Sequence, residues 1–408
     1  MMLNVGLFIL ILIAAELLFQ SLVKYFRKEF QWLITEKDDR PNFDKIAFDK
    51  FISTSFDKDL GWTKKPNTSG IERGKFSDIT FNIDGKGSRR NPIDSETSIV
   101  TFGDSYTFCR QVEDHQTWQV YLSEKLGDKV LNFGVGNYGI DQAYLNYQRQ
   151  VTPETTKVVI LGFVPETICR IQSYWKHYLE FGNTFAFKPR FTLEYGQLQL
   201  HNNLLNGSED FHKLDEIIQE AKKIDVFYKK KFKLLQFRFP YIFWYFLNFN
   251  RNTNLLYLLL KRKLFTLLNK SDNAIDNAPF SSVMLENIKQ SHQMYGDKNA
   301  CNLLEAILLK FRDLAYERGH EPLVVVMPQL LDMNIMKKNK ISTYQPLFSK
   351  INEKVRVLDM THHLAGRDDL GSLYIDDAYG GHFSAAGNRL VAEKVSEFLS
   401  ENSLISKK

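Results

Sequence analysis

Cysteine is scarce: the three in this 408-residue chain, Cys109, Cys169 and Cys301, lie far apart and show no metal-ligand spacing. An odd count excludes a fully paired set within one chain, so they read as small buried thiols and leave the redox compartment open. Charge of one sign is also in short supply. Lys and Arg number 53 against 48 Asp and Glu, and the resulting net charge of +5 is too mild over this length to point to nucleic acid. No internal repeat or low-complexity tract is visible, which sets aside repeat arrays. What remains, 44% hydrophobic and 25% charged residues, is the composition of an ordinary globular protein rather than a disordered one. Aromatic residues are plentiful at 13%, which suggests a large core, an interfacial surface, or both. The length suits two domains, or one α/β domain with a large insertion.

Residues 1–23 are nearly all apolar, interrupted by Asn4, Glu16 and Gln20. That length spans a bilayer. With no basic stretch before it and no small-residue cleavage site after it, it is expected to be a retained single-pass anchor. Glu16 is the anomaly, expected to face a partner helix or an interface. Lys24, Arg27 and Lys28 follow the span, and taken alone they place the body of the chain on the cytoplasmic side.

From Ser98 onward, apolar runs alternate with helical patterns. Strands are expected at 98–102, 129–133, 157–163, 322–327 and 355–359, each continuous enough to be buried on both faces as in a parallel sheet. An apolar stripe from Leu303 to Ala315 predicts a helix stopped by Gly319, and Ser384 reads as the N-cap of the last helix. The order implies an α/β doubly wound parallel sheet. The expected divisions are an anchor (1–23), a juxtamembrane connector with short strands (24–95), a core in two parts (96–170 and 301–408), and a helical and β insertion (171–300). Within the insertion, 226–268 is basic and aromatic (Lys229-Lys230-Lys231, Tyr241 to Phe246, Lys261-Arg262-Lys263). It reads either as a membrane-surface or partner-docking element or as a packed insertion with solvated lysines.

Three segments carry chemistry. Gly103-Asp104-Ser105-Tyr106-Thr107 follows the first strand and puts a hydroxyl at the sheet edge where ligands bind in open α/β folds. A serine needs a base, and His382 stands in Gly381-His382-Phe383-Ser384, with Asp376 or Asp377 to fix its tautomer. Asn132-Phe133-Gly134-Val135-Gly136-Asn137 ends the second strand in a glycine turn, a source of N–H donors for an oxyanion. Asp104, Arg170 and Trp175 are further candidates for substrate contact, Trp175 as part of a cluster with Lys176 and His177. Arg89, Arg90 and Asp332 are expected to serve structure. No metal or cofactor is expected.

Together these segments resemble the SGNH (GDSL-type) hydrolase family over about residues 80–165 and 320–400. The resemblance implies a flavodoxin-like sandwich, Ser105 as nucleophile, His382 as base, and an oxyanion hole using the Ser105 N–H with Gly136 and Asn137. It also implies a membrane-anchored member with an extracytoplasmic body, opposite to the side suggested by charge. Two positions depart from the family pattern. Val164-Pro165-Glu166-Thr167 stands where its third-block asparagine belongs, and Tyr379 stands three residues before the histidine, leaving Asp377 ahead of Asp376 as the acid. Asn137 is a candidate to supply the missing amide. The expected function is a serine esterase or O-acyltransferase on acylated, in particular O-acetylated, cell-surface carbohydrate, with a membrane protein as a possible partner. A membrane lipid or thioester hydrolase and a catalytically silent glycan-binding or assembly subunit are the alternatives.

Overall fold

A computed structural model describes residues 2–73, 78–375 and 381–405. Its main sheet consists of β1 (Thr97–Gly103), β2 (Lys129–Gly134), β3 (Val158–Phe163), β4 (Glu321–Val326) and β5 (Arg356–Asp359). These lie close to the five apolar runs. The helices that matter below are α1 (Met2–Glu29), α2 (Ser105–Phe108), α3 (Trp118–Leu126), α4 (Ile140–Arg149), α5 (Tyr241–Leu247), α6 (Phe249–Leu267), α7 (Asn273–Met294), α8 (Lys298–Glu317) and α9 (Ala385–Glu401).

All five strands pair in parallel in the order β2-β1-β3-β4-β5. This is the flavodoxin-like doubly wound order, whose direction of travel reverses between β1 and β3, and ligands bind outside the strand ends at that reversal. Because successive strand residues face opposite ways, each apolar run feeds two cores. Ile99, Val130, Ile160, Leu323 and Val325 meet Trp118 and Leu122 of α3 and Val391, Val395 and Leu399 of α9. On the opposite face Val100, Phe102, Leu161, Phe163 and Val324 meet Ile140 and Tyr147 of α4 and Leu304, Leu308 and Phe311 of α8. Each fully buried aliphatic side chain contributes about 1.5–3 kcal/mol, so this double burial dominates the core's stability. Ser384 caps α9 as expected, its hydroxyl accepting the Gly387 N–H at 3.2 Å.

Before β1, the connector forms a helix (Lys45–Thr54) and two small antiparallel pairs, Phe56–Asp57 with Gly61–Trp62 and Ser69–Arg73 with Asp78–Asn82. Between β3 and β4 the chain makes the hairpin Arg190–Glu194/Gln197–His201 and helices α5 to α8. His292 of α7 pins this region to the core through Asp332 (2.9 Å), which also accepts the Gln329 N–H at 2.8 Å and so serves structure. α1 is long and apolar enough to cross a membrane.

Candidate active site

Asp104 caps α2, whose first residue is Ser105. One carboxylate oxygen of Asp104 accepts the Tyr106 N–H at 2.9 Å, and the other accepts the Val164 N–H, just past β3, at 2.9 Å. Thr107 donates its hydroxyl to Gly162 O at 2.7 Å. The short helix therefore lies flat over the ends of β1 and β3. Such an approach requires strand ends without side chains. Gly134, Gly103 and Gly162 stand in register on three adjacent strands. A Cβ at 134 would sit 2.2 Å from the Phe108 nitrogen, and one at 162 would sit 2.5 Å from Thr107 Oγ1.

His382 arrives from the far end of the chain, with its Nε2 2.9 Å from Ser105 Oγ. Both side chains are buried. Tyr106 helps hold the imidazole, its ring centre 4.9 Å away and its hydroxyl donating to Gly381 O. The histidine's own carbonyl accepts the Ile375 N–H at 2.7 Å. The neighbouring Tyr374 donates its hydroxyl to Pro328 O, just beyond β4, at 2.8 Å. Gly381 has φ +81°, and a Cβ there would meet Leu330 Cβ at 2.9 Å. The expected acids Asp376 and Asp377, with Tyr379, lie outside the described residues.

Gly136 and Asn137 share a cavity of about 400 Å³ with Ser105. Asn137 takes φ +69°, a left-handed conformation its side chain tolerates better than most. Among the described residues, the N–H groups of Ser105, Gly136 and Asn137 donate to no protein acceptor, so they remain available to a ligand. The turn is fixed from outside. Trp62 donates Nε1–H to Gly136 O at 3.0 Å, and the Asn137 amide reaches Asn183 Oδ1 at 3.4 Å. After β3, where the family pattern has an asparagine, Glu166 and Thr167 turn into the interior: Glu166 pairs with Arg170 at 2.7 Å and Thr167 Oγ1 accepts the Ile140 N–H at 2.9 Å. The side-chain amides at the cavity are those of Asn137 and Asn183.

Asp104, Arg170 and Trp175, expected as substrate contacts, are buried and engaged with other protein groups, and they are not among the described residues that line the cavity. Arg170 lies 2.7 Å from Glu166, 3.5 Å from Asp104 and 3.7 Å from Glu180, and Lys176 adds a 3.0 Å pair to Glu180. Burial raises the carboxyl pKa of Asp104 and Glu166 above the ordinary range, although Arg170 pulls against it. Burial also disfavours the Arg170 charge, but Glu166, Glu180 and Asp104 outweigh it and keep the guanidinium protonated. Trp175 stacks on Phe187 with ring centres 4.7 Å apart and donates to Thr184 O at 3.0 Å, so it supports the cavity-lining segment instead of forming the wall. Arg89 is likewise structural, donating to Phe108 O at 2.8 Å and Cys109 O at 2.7 Å behind α2. Cys109 is inert: burial pushes its thiol up to about 12.

Sequence reasoning missed Trp62, Asn183 and Lys64, all on the cavity wall. Lys64 holds its ammonium 4.2 Å and 4.7 Å from the Phe81 and Phe108 ring centres, and burial pushes its pKa down to about 8. None of the three sits in a local motif, and only the fold brings them to Ser105.

No family model matches the chain, and no curated protein does. Among solved structures it is similar to a lipolytic protein of the G-D-S-L family from Desulfitobacterium hafniense DCB-2, at 12% identity and TM-score 0.32 over 74% of this chain and 99% of that one. A member of the lipolytic G-D-S-L family from Veillonella parvula DSM 2008 gives 13% identity and TM-score 0.32 over 74% and 98%. The lipase/acylhydrolase from Enterococcus faecalis gives 10% identity and TM-score 0.32 over 76% and 98%.

Proposed function

We propose that this chain is a membrane-anchored, SGNH-type serine esterase or O-acyltransferase acting on O-acylated, in particular O-acetylated, carbohydrate at the outer cell surface. The observation that carries this reading is the 2.9 Å contact between Ser105 Oγ and His382 Nε2 beside a cavity. Ser105 Oγ attacks the ester carbonyl while His382 Nε2 takes its proton. The carbonyl oxygen becomes an oxyanion, met by the N–H groups of Ser105 and Gly136 and by the Asn137 amide. His382 then protonates the leaving alkoxide, which departs and leaves the acyl group on Ser105. Water or a sugar hydroxyl, deprotonated by the same imidazole, removes the acyl group and restores the serine. Asp377, or Asp376 beside it, would orient the imidazole.

The composition of the cavity supports a carbohydrate ligand. Phe51, Trp62 and Phe185 offer ring faces, and Ser55, Thr63, Asn183 and Thr184 offer hydroxyl and amide groups. Apolar sugar faces lie on rings while sugar hydroxyls need polar partners, and the volume is that of a small-ligand site. Amide and charged side chains close to Ser105 fit a short acyl group better than a long one.

The test is labelling by a fluorophosphonate probe, followed by turnover of acetyl to palmitoyl esters with and without a glycan acceptor. Wild type is expected to label and to prefer the short acyl group. Ser105→Ala and His382→Ala are expected to fall to background, and Asn137→Ala to lose about 100- to 1000-fold in turnover. Labelling that survives both Ser105→Ala and His382→Ala overturns the proposal, and preference for the palmitoyl donor overturns its substrate class.

A further inference from the structure

Glu16 is the one charged residue in the apolar stretch from Val5 to Val23, and its carboxylate is occupied. It accepts the backbone N–H of Tyr241 at 2.6 Å and of Ile242 at 3.0 Å, the first donors of α5. One turn along α1, the Phe19 ring lies 4.5 Å from Tyr245 of α5. Farther along, Val23, Phe26 and Phe30 pack with Tyr245, Leu255 and Leu259, and Lys263 of α6 pairs with Glu29 at 2.8 Å. Among the described residues of α1, Val5 to Ala14 form the continuous exposed segment.

Length then decides the depth of α5. Ten helical residues rise about 15 Å at 1.5 Å each, roughly half of the ~30 Å hydrocarbon core of a bilayer. The apolar span as a whole runs Val5–Glu29, and the ten residues that follow the exposed segment within it are the ones that carry α5 along their flank. The outward face of α5 suits that depth. Phe243 is 54% exposed, Phe246 58% and Phe239 74%, and no charged side chain occurs from Phe239 to Asn250. Charge flanks the stretch on both sides: Arg238 lays its guanidinium 3.8 Å from the Trp244 ring centre, Arg251 pairs with Glu286 at 2.8 Å, and Lys263 reaches Glu29 at the end of α1.

We infer that α5, with Phe239 and Phe249 flanking it, is inserted into the bilayer leaflet next to the catalytic body, packed against α1 and otherwise covered by lipid acyl chains. The inference rests on α1 spanning the membrane. It accounts for Glu16: a carboxylate facing hydrocarbon is costly, and here two backbone donors satisfy it. Those same donors, at the start of a helix, would otherwise be unpaired in lipid. Each side meets the other's need.

The test uses the full chain with Cys301→Ser, reconstituted in phosphatidylcholine vesicles. Single cysteines (Leu10→Cys, Phe243→Cys, Phe246→Cys, Tyr195→Cys) carry an environment-sensitive fluorophore, and quenching by nitroxide-labelled lipid is compared with quenching by aqueous iodide. Lipid quenching at 10, 243 and 246 with iodide quenching at 195 is the expected result. Lipid quenching at 10 with iodide quenching at 243 and 246 overturns the inserted α5 alone. Absence of lipid quenching at 10 overturns the anchor and α5 with it. Quenching by neither agent at 243 and 246 means that protein covers the face, and also overturns the inference. In hydrogen exchange, Glu16→Leu is expected to release the Tyr241 and Ile242 amides about tenfold or more, as for donors that lose a charged acceptor, while Glu16→Gln, with one oxygen left to accept, keeps one of the two protected. Unchanged exchange in Glu16→Leu overturns the capping role.

Discussion

Arg170 stands where three carboxylates meet beneath the Ser105 loop, which makes it the residue on which the interior charge depends. Removing one partner of a buried ion pair leaves the others uncompensated and costs about 3–5 kcal/mol. Arg170→Met is therefore expected to lower stability by about that amount in chemical denaturation, with Arg170→Lys restoring only part because it lacks the planar fork that serves several acceptors. The contrast between Arg170 and Ser105 also shows what a sequence reveals at this scale. Ser105, His382, Gly136 and Asn137 were legible because each sits in a short motif whose local geometry gives it its place. The surroundings of Arg170 and Trp175 were not legible, because they come in part from Glu180 and Phe187, residues whose proximity no local pattern announces. Trp62 and Asn183 were invisible for the same reason.

At the level of elements, the row of glycines under α2 is the feature with the sharpest mechanical consequence. Gly134→Ala would push a methyl group to 2.2 Å from the Phe108 nitrogen, so α2 must lift and carry Ser105 with it. A displacement of about 1 Å at a reacting atom costs on the order of 100-fold in rate. The expected outcome is probe labelling slowed by about that factor while the protein still folds, checked by labelling kinetics beside a melting curve. The strands themselves were readable because double burial writes continuous apolar runs, and their parallel order followed from the alternation with helices. The insertion was readable only as an interruption. Its aromatic and basic composition suited both a packed element and a membrane-facing one, and the choice depends on where α1 runs, which lies more than two hundred residues away.

Across the whole molecule, His177 ties the region between β3 and β4 to the segment that follows α1. Its Nε2–H donates to Asp38 O at 3.0 Å, and its ring lies 4.7 Å from Trp175 and 5.1 Å from Phe232. Burial pushes its pKa down to about 4 from 6.5. A histidine held neutral in the folded state takes up its proton first in the unfolded one, so its contribution is complete above pH 6.5 and lost as pH falls toward 4. The shift corresponds to about 3 kcal/mol. His177→Phe is expected to be less stable than wild type near neutrality by about 1–3 kcal/mol, since Asp38 O loses its donor, and to lose this acid-sensitive component in pulse proteolysis between pH 7 and 4. The connector that begins at this tie also supplies Phe51, Ser55, Trp62 and Lys64 to the cavity wall. The chain that follows α1 is thus part of the chamber that holds Ser105, a leash with no slack. If α1 crosses a membrane, Ser105 is held at one standoff from the lipid headgroups, and whatever ligand reaches the cavity must come to that height.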